Sequence, residues 1–190
     1  PDAPWQVHLT SIKPWPSCRH THPVIDAALE LSGKINVDDI ERVDAVSYQA
    51  AIDVCDRAEP ESEYEAKFSL QHCVAISLID GKNVFASYDP SSRERAAELR
   101  SRIGVRAGDI YSNAYPKDWG GEVTVHLKDG GSVTAARNAC KGDPELPLNR
   151  DEMIDKARDL LTFATVNDVD AVIDGVMGMA NGDDVPQFSL

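Results

Sequence analysis

Residues 122–137, EVTVHLKDGGSVTAAR, constrain the fold more than any other stretch of the chain. Apolar and polar residues alternate on both sides of Asp129-Gly130-Gly131, and that triplet supplies the positive-φ positions of a tight reversal. The pattern predicts an antiparallel hairpin with strands over 121–128 and 132–138. A hairpin alone is marginal in water, so its apolar face needs further strands and a covering layer. The rest of the chain offers both. Residues 39–50 and 105–112 read as strands. PVIDAALELS, with Thr21 or His22 as cap and Gly33 just past its end, predicts a helix over 23–32. EYEAKFSLQHCVAISLID predicts one over 64–80, and its second half is apolar nearly all round and so buried. Asp89 caps a third over 90–103, whose inward face is Ala96, Leu99 and Ile103. After the Pro-rich KGDPELPLN come two amphipathic helices, 150–164 (capped by Asn149) and 167–179. The fold class expected is α+β, an antiparallel sheet with packed helices.

The balance of 19 Lys+Arg against 32 Asp+Glu, a net charge of -13, argues against nucleic acid and against anionic membrane surfaces. No apolar run is long enough to span a bilayer. The opening PDAPWQ has neither a basic head nor an apolar core, so no secretory leader is expected. The four cysteines, Cys18, Cys55, Cys73 and Cys140, form no CxxC pair and read as reduced thiols of a cytoplasmic protein.

Against that acidity, residues 13–22, KPWPSCRHTH, stand out. No acid lies between Asp2 and Asp26, while Lys13, Cys18, Arg19, His20 and His22 crowd together. Zinc is one reading, but the spacing of Cys18, His20 and His22 is not that of a C-x2-4-C and H-x3-5-H site, and no second ligand pair answers it. Cys–His nucleophilic catalysis is another, and it needs a geometry that proximity in sequence does not supply. Carboxylate binding is the third. Lys13 offers a compact charge, Arg19 a two-pronged grip, and His20 or His22 a proton near neutral pH. The plain structural alternative is a surface loop whose histidines cap the next helix.

KPWPSCRHTHPVIDAALEL resembles the K-P-[YW]-P-x-C-R-x-x-H-x-x-I-D-A-A-L-x-L motif of the MmgE/PrpD family. EYEAKFSLQHCVAISLIDG resembles that family's E-A-K-F-S-L-Q-Y-C-V-A-x-x-L-x-D-G. VTVHLKDGGSVTAARNACKGDPELPLNRDEMIDKARDLL resembles its late strand, turn, K-G-x-P-x-x-P-L and helix. The three segments come in the family's order and cover most of residues 11–165. The resemblance implies enzymes acting on small di- and tricarboxylates: 2-methylcitrate dehydratase, cis-aconitate decarboxylase and an iminodisuccinate epimerase. It implies no metal or organic cofactor, a homodimer, and a large helical domain over which a smaller α+β domain closes. This chain resembles the second of these domains. Most acid–base residues then belong to the helical domain, so the 190-residue chain alone should be inactive. The lid's own contribution is a lysine matching Lys13 and histidines matching His20 or His22. Tyr48 lies near where some members place a lid tyrosine.

The expected organisation is a lead-in over 1–10 from a preceding helical domain, the lid over 11–180, and a tail over 181–190. Candidate catalytic residues are Lys13, His20 and His22. Arg19 and Lys67 are candidate substrate contacts, although Lys67 could equally pair with an acid such as Glu63 on its own helix. The partners implied are a small di- or tricarboxylate, the helical domain of the same protein and a second copy of it. The alternative is a non-catalytic module that dimerises or binds a carboxylate. Cys73 reads as core, His126 receives no role, and Arg93, Arg95, Arg100 and Arg102 read as a solvated helix face.

Overall fold

The computed structural model describes Ala3 and residues 5–186. The chain divides into two compact units, Pro1–Pro147 and Leu148–Leu190, so the expected lid over 11–180 falls in both. Of the expected lead-in and tail, Pro1, Asp2, Pro4 and residues 187–190 lie outside the described residues.

The first unit runs α1 (His22–Ser32), β1 (Ile40–Ser47), α2 (Gln49–Cys55), α3 (Glu63–Ala66), α4 (Leu70–Asp80), α5 (Pro90–Arg100), β2 (Ile103–Ala107), α6 (Asp109–Ala114), β3 (Gly121–Leu127) and β4 (Ser132–Arg137). The four strands form one sheet in the order β2-β1-β3-β4. The hairpin forms as its sequence dictates: Val123 faces Ala135 and Val125 faces Val133, and Gly130 takes φ +88° in the turn. β1 lies antiparallel to β3, with Val43 opposite Val125 and Ala45 opposite Val123. β2, however, runs parallel to β1, with Val43 opposite Ile103. The sheet is therefore mixed and mostly antiparallel. The long crossover from β1 to β2, which a parallel pair requires, carries α2 to α5.

Alternation sets the two faces of the sheet. Val43, Ala45, Val123, Val125 and Ala135 are buried and share a core with Val24, Ala28, Leu31, Val74 and Leu78 of α1 and α4. Each large side chain closed off in this way contributes about 1.5–3 kcal/mol relative to leaving it in water. The opposite face is polar: His126 Nε2 lies 2.9 Å from Asp44 Oδ2, and the hydroxyls of Thr124 and Thr134 meet at 2.8 Å.

The helix expected over 64–80 is broken in two. Ser69 leaves the helical path, accepts the His72 N–H at 3.0 Å and donates to the Arg57 carbonyl at 2.6 Å, so it starts α4 as a cap. Lys67 and Gln71 therefore do not share a helix. Every residue of α4 from Leu70 to Leu78 is buried, as its all-round apolar character requires. The strand expected over 105–112 begins earlier, at Ile103, and gives way to α6 at Asp109.

The second unit holds α7 (Arg150–Phe163) and α8 (Val169–Met179). Asn149 and Glu152 form a reciprocal capping box at 2.9 and 2.7 Å. Met153, Ile154 and Leu161 of α7 with Val172, Val176 and Met177 of α8 line an apolar groove of about 420 Å³. Among the described residues no helix is long and apolar enough to cross a membrane.

Candidate functional site

The acid-free loop lies across one end of the sheet, where α1 begins. Gly121 lets that approach happen: a Cβ there would stand 3.0 Å from the Val46 carbonyl oxygen and 3.1 Å from Pro23. Three anchors fix the loop. The Ile12 N–H donates to the Gly142 carbonyl at 2.8 Å. Gly142 has φ +87°, and a Cβ on it would sit 1.9 Å from the Ile12 oxygen, so only glycine fits. The Trp15 indole N–H donates to Asp26 at 2.7 Å, while the other Asp26 oxygen accepts the Lys141 N–H at 2.8 Å. Burial pushes the Asp26 carboxyl up, and those two donors work against it. Asp143 is the third anchor. It forms an ion pair with Arg19 and accepts from the Ser11 hydroxyl at 2.7 Å and from the Cys140 N–H at 3.1 Å.

Around this frame the candidate residues divide. Arg19 is held: one amino group pairs with Asp143, its guanidinium lies 5.0 Å from the Trp119 ring centroid, and Nη1 meets no partner among the described residues. His20 stands in an aromatic box. Its ring stacks on Trp119 at 5.1 Å and 16°, and its Nδ1 lies 2.9 Å from the Tyr48 hydroxyl. Tyr48 in turn stacks on Tyr115 at 4.4 Å. Burial, aided by the Arg19 charge, lowers the His20 pKa, so the ring is neutral at pH 7. Burial raises that of Tyr48, which keeps its proton. Where Tyr48 donates to Nδ1, the His20 proton sits on Nε2 and a proton donor is ready there.

His22 is fully enclosed at the start of α1, and neither ring nitrogen meets a hydrogen-bond partner among the described residues. Burial, with smaller contributions from Arg19 and Lys13, pushes its pKa down to about 3, although the Ser17 backbone works the other way. Lys13 is exposed, and its ammonium meets no carboxylate among the described residues. Its charge reaches inward far enough to act on Cys18 and His22. Lys67 lies between α3 and α4. Its carbonyl accepts the Cys18 N–H at 2.9 Å, and its ammonium stands 5.6 and 5.8 Å from the ring centroids of Phe85 and Tyr88. Gln71 donates to Asp56 at 2.6 Å. Beside Arg19 a cleft of about 240 Å³ opens, lined by Ser11, Lys117, Trp119, Asn138 and Asp143. No three His, Cys, Asp or Glu among the described residues gather in a way that could hold a metal.

Sequence reading did not single out Trp119, Tyr115, Asp26 or Asp143. Two of them had a signal: Asp26 is the fixed aspartate of the quoted I-D-A-A-L stretch, and Asp143 is the variable position of the K-G-x-P segment beside a glycine.

The buried histidines carry a pH prediction. The folded state holds His22 near 3 and His72 near 4, both by burial. The unfolded chain takes up protons near pH 6.5 that the folded chain refuses, so this stability is present above pH 6.5 and is lost as the pH falls toward the folded values. Going from pH 7 to pH 6 should cost about 0.7 kcal/mol for each histidine, read as a drop in the urea midpoint. A midpoint unchanged between the two pH values would contradict the burial of both rings.

The MmgE/PrpD C-terminal domain profile matches residues 15–177, through both units of the structure. The chain belongs to the MmgE/PrpD C-terminal domain family. This MmgE/PrpD domain is also 25% identical over 158 residues to the cis-aconitate decarboxylase of Mus musculus, an alignment covering 78% of this chain and 32% of that protein. It thus spans about a third of the length of that curated relative. The resemblance carried by the three quoted segments is a family relationship, and the mixed sheet with packed helices is the form it takes in this chain.

Proposed function

We propose that this MmgE/PrpD domain is the lid of a lyase or isomerase that acts on small di- or tricarboxylates, completed by a helical domain of the same protein. One observation carries the reading. Of the loop's proton-carrying groups, Arg19 is neutralised by Asp143 and both histidines are neutral at pH 7, which leaves Lys13 as its exposed positive charge with no counter-ion among the described residues. An exposed cation on a loop anchored by Gly142, Asp26 and Asp143 suits a substrate carboxylate. It would also stabilise the enolate-like charge that develops when a proton leaves the adjacent carbon. His20, polarised by Tyr48, supplies a group that can move a proton beside it. The apolar groove between α7 and α8 is consistent with a helical neighbour, from the same chain or a second copy.

The test is an assay of the protein that carries this domain with its helical partner on 2-methylcitrate, cis-aconitate and iminodisuccinate. Turnover of one of the three is expected, with none by residues 1–190 alone. Turnover by the isolated 190-residue chain would place the acid–base groups inside it and overturn the division of labour. No turnover and no binding of any of the three by the complete protein would overturn the substrate class.

A further inference from the structure

Two successive residues of the acid-free loop rest on one indole. The His20 ring stacks on Trp119 with centroids 5.1 Å apart and planes 16° apart, and the Arg19 guanidinium carbon lies 5.0 Å from the same ring centroid. Trp119 belongs to the connection between α6 and β3, and that connection is fastened from several sides. The indole N–H donates to the Pro116 carbonyl at 3.2 Å, and the Trp119 carbonyl accepts from the Cys140 thiol at 3.4 Å. The Ser47 hydroxyl donates to the carbonyl of Gly120 at 2.9 Å. A Cβ on Gly120 would stand 2.7 Å from the Tyr111 ring and 2.9 Å from the Arg137 carbonyl oxygen, so only glycine lets the chain turn into β3 here. Tyr48 and Tyr115 meet the indole edge-on, at 5.7 Å and 73° and at 5.3 Å and 64°.

We propose that Trp119 is the positioning residue of His20: its indole fixes the plane of the imidazole against the Tyr48 hydroxyl, so that Nδ1 accepts from Tyr48 and Nε2 carries the proton. The second torsion of a histidine is broad and nearly two-fold, so the backbone alone leaves the ring free to turn over. The 2.9 Å contact between Nδ1 and the Tyr48 hydroxyl pins one nitrogen. It does not fix the plane, because the ring can still swing about that contact. A flat partner at 16° removes the swing. The same indole meets the guanidinium of the preceding residue, which Asp143 also pairs with, so the turn that carries His20 is held through both side chains. A group that moves a proton works only within a narrow range of distance and angle. Trp119 therefore acts on rate through His20 rather than by touching substrate. The inference rests on the reading of His20 as a proton-moving group of the lid.

The test reads the His20 ring by nuclear magnetic resonance in the full chain, with histidine nitrogens labelled, at about pH 8, where imidazoles are largely neutral. His20→Gln removes one set of signals and so assigns them. In the parent a single tautomer is expected, with the proton on Nε2, and the ring protons should be displaced upfield by the stacked indole. Trp119→Leu keeps apolar bulk but removes the flat face, so the upfield displacement should vanish and both tautomers should appear. Trp119→Phe keeps a flat partner and should hold the single tautomer. The proposal is overturned if the parent shows a mixture or a proton on Nδ1, if Trp119→Phe shows a mixture, or if Trp119→Leu keeps the single Nε2–H form. Should Trp119→Leu fail to fold, the parent and Trp119→Phe decide. In the complete protein, Trp119→Leu should lower kcat by about tenfold or more while KM changes by less than about twofold, and Trp119→Phe should recover most of the loss. An unchanged kcat, or a change in KM alone, overturns the positioning role. If the complete protein turns over none of the three acids, the lid reading fails by itself, and the resonance result alone decides whether Trp119 positions the ring.

Discussion

Asp143→Ala is expected to lower the stability of the chain by about 2–4 kcal/mol. The carboxylate serves three partners at once: the Arg19 guanidinium, the Ser11 hydroxyl and the Cys140 N–H. Removing one member of a buried ion pair typically costs 3–5 kcal/mol, because the other charge is left without a partner. The range is set lower for this pair because the Arg19 side chain keeps 18% of its surface exposed and Asp143 keeps 9%, so water screens part of the loss. Asp143→Asn separates charge from hydrogen bonding. Its one oxygen can still accept the Cys140 N–H while its amide NH2 donates to the Ser11 hydroxyl, but it cannot neutralise Arg19, and it should cost about 1–2 kcal/mol. Urea denaturation of the three chains at pH 7 gives both numbers. Equal stability of parent and Asp143→Ala, within about half a kcal/mol, would mean that Arg19 finds water as good a partner as Asp143.

Elements whose signals are local were legible in the sequence. The hairpin is encoded within residues 122–137, and Thr21, Asp89 and Asn149 stand at the N-caps of their helices. Long-range partnership was not legible. Alternation marks β1 and β2 as strands but does not say that they run parallel, because the direction depends on the crossover through α2 to α5. The split between α3 and α4 was hidden for a related reason. Residues 64–80 carry an unbroken helical pattern, and Ser69 interrupts it by bonding to Arg57 across the fold. α2 is only seven residues long; it takes the last two residues of the strand expected over 39–50 and five that no local pattern marked.

The site followed the same division. The absence of acids from 3–25 pointed to a cationic loop, on which Arg19 and His20 both meet Trp119 and Lys13 stands exposed. Their differing states come from residues far away in sequence. Asp143 matches Arg19 from 124 positions on, and Tyr48 meets His20 from 28 positions on. Trp119 stacks on His20 from beyond α6. The enclosure of His22 reflects the packing of α1 onto the core, where a ring beside Pro23 has no route to solvent. Sequence shows which groups can carry a proton; only the fold shows which of them still carry an unmatched charge.

The claim that Lys13 is the lid's working cation is tested most directly by kinetics of Lys13→Ala and Lys13→Met in the complete protein, alongside melting curves. Methionine keeps most of the apolar stem and removes the charge, so it separates lost packing from lost electrostatics. Losing a charge-assisted contact from a desolvated site costs about 1.5–3 kcal/mol, so both variants should lose roughly ten- to a hundredfold in kcat/KM while melting with the parent. If both keep kcat/KM within about twofold of the parent, a difference under roughly half a kcal/mol, Lys13 is a surface lysine and the account of the loop is wrong.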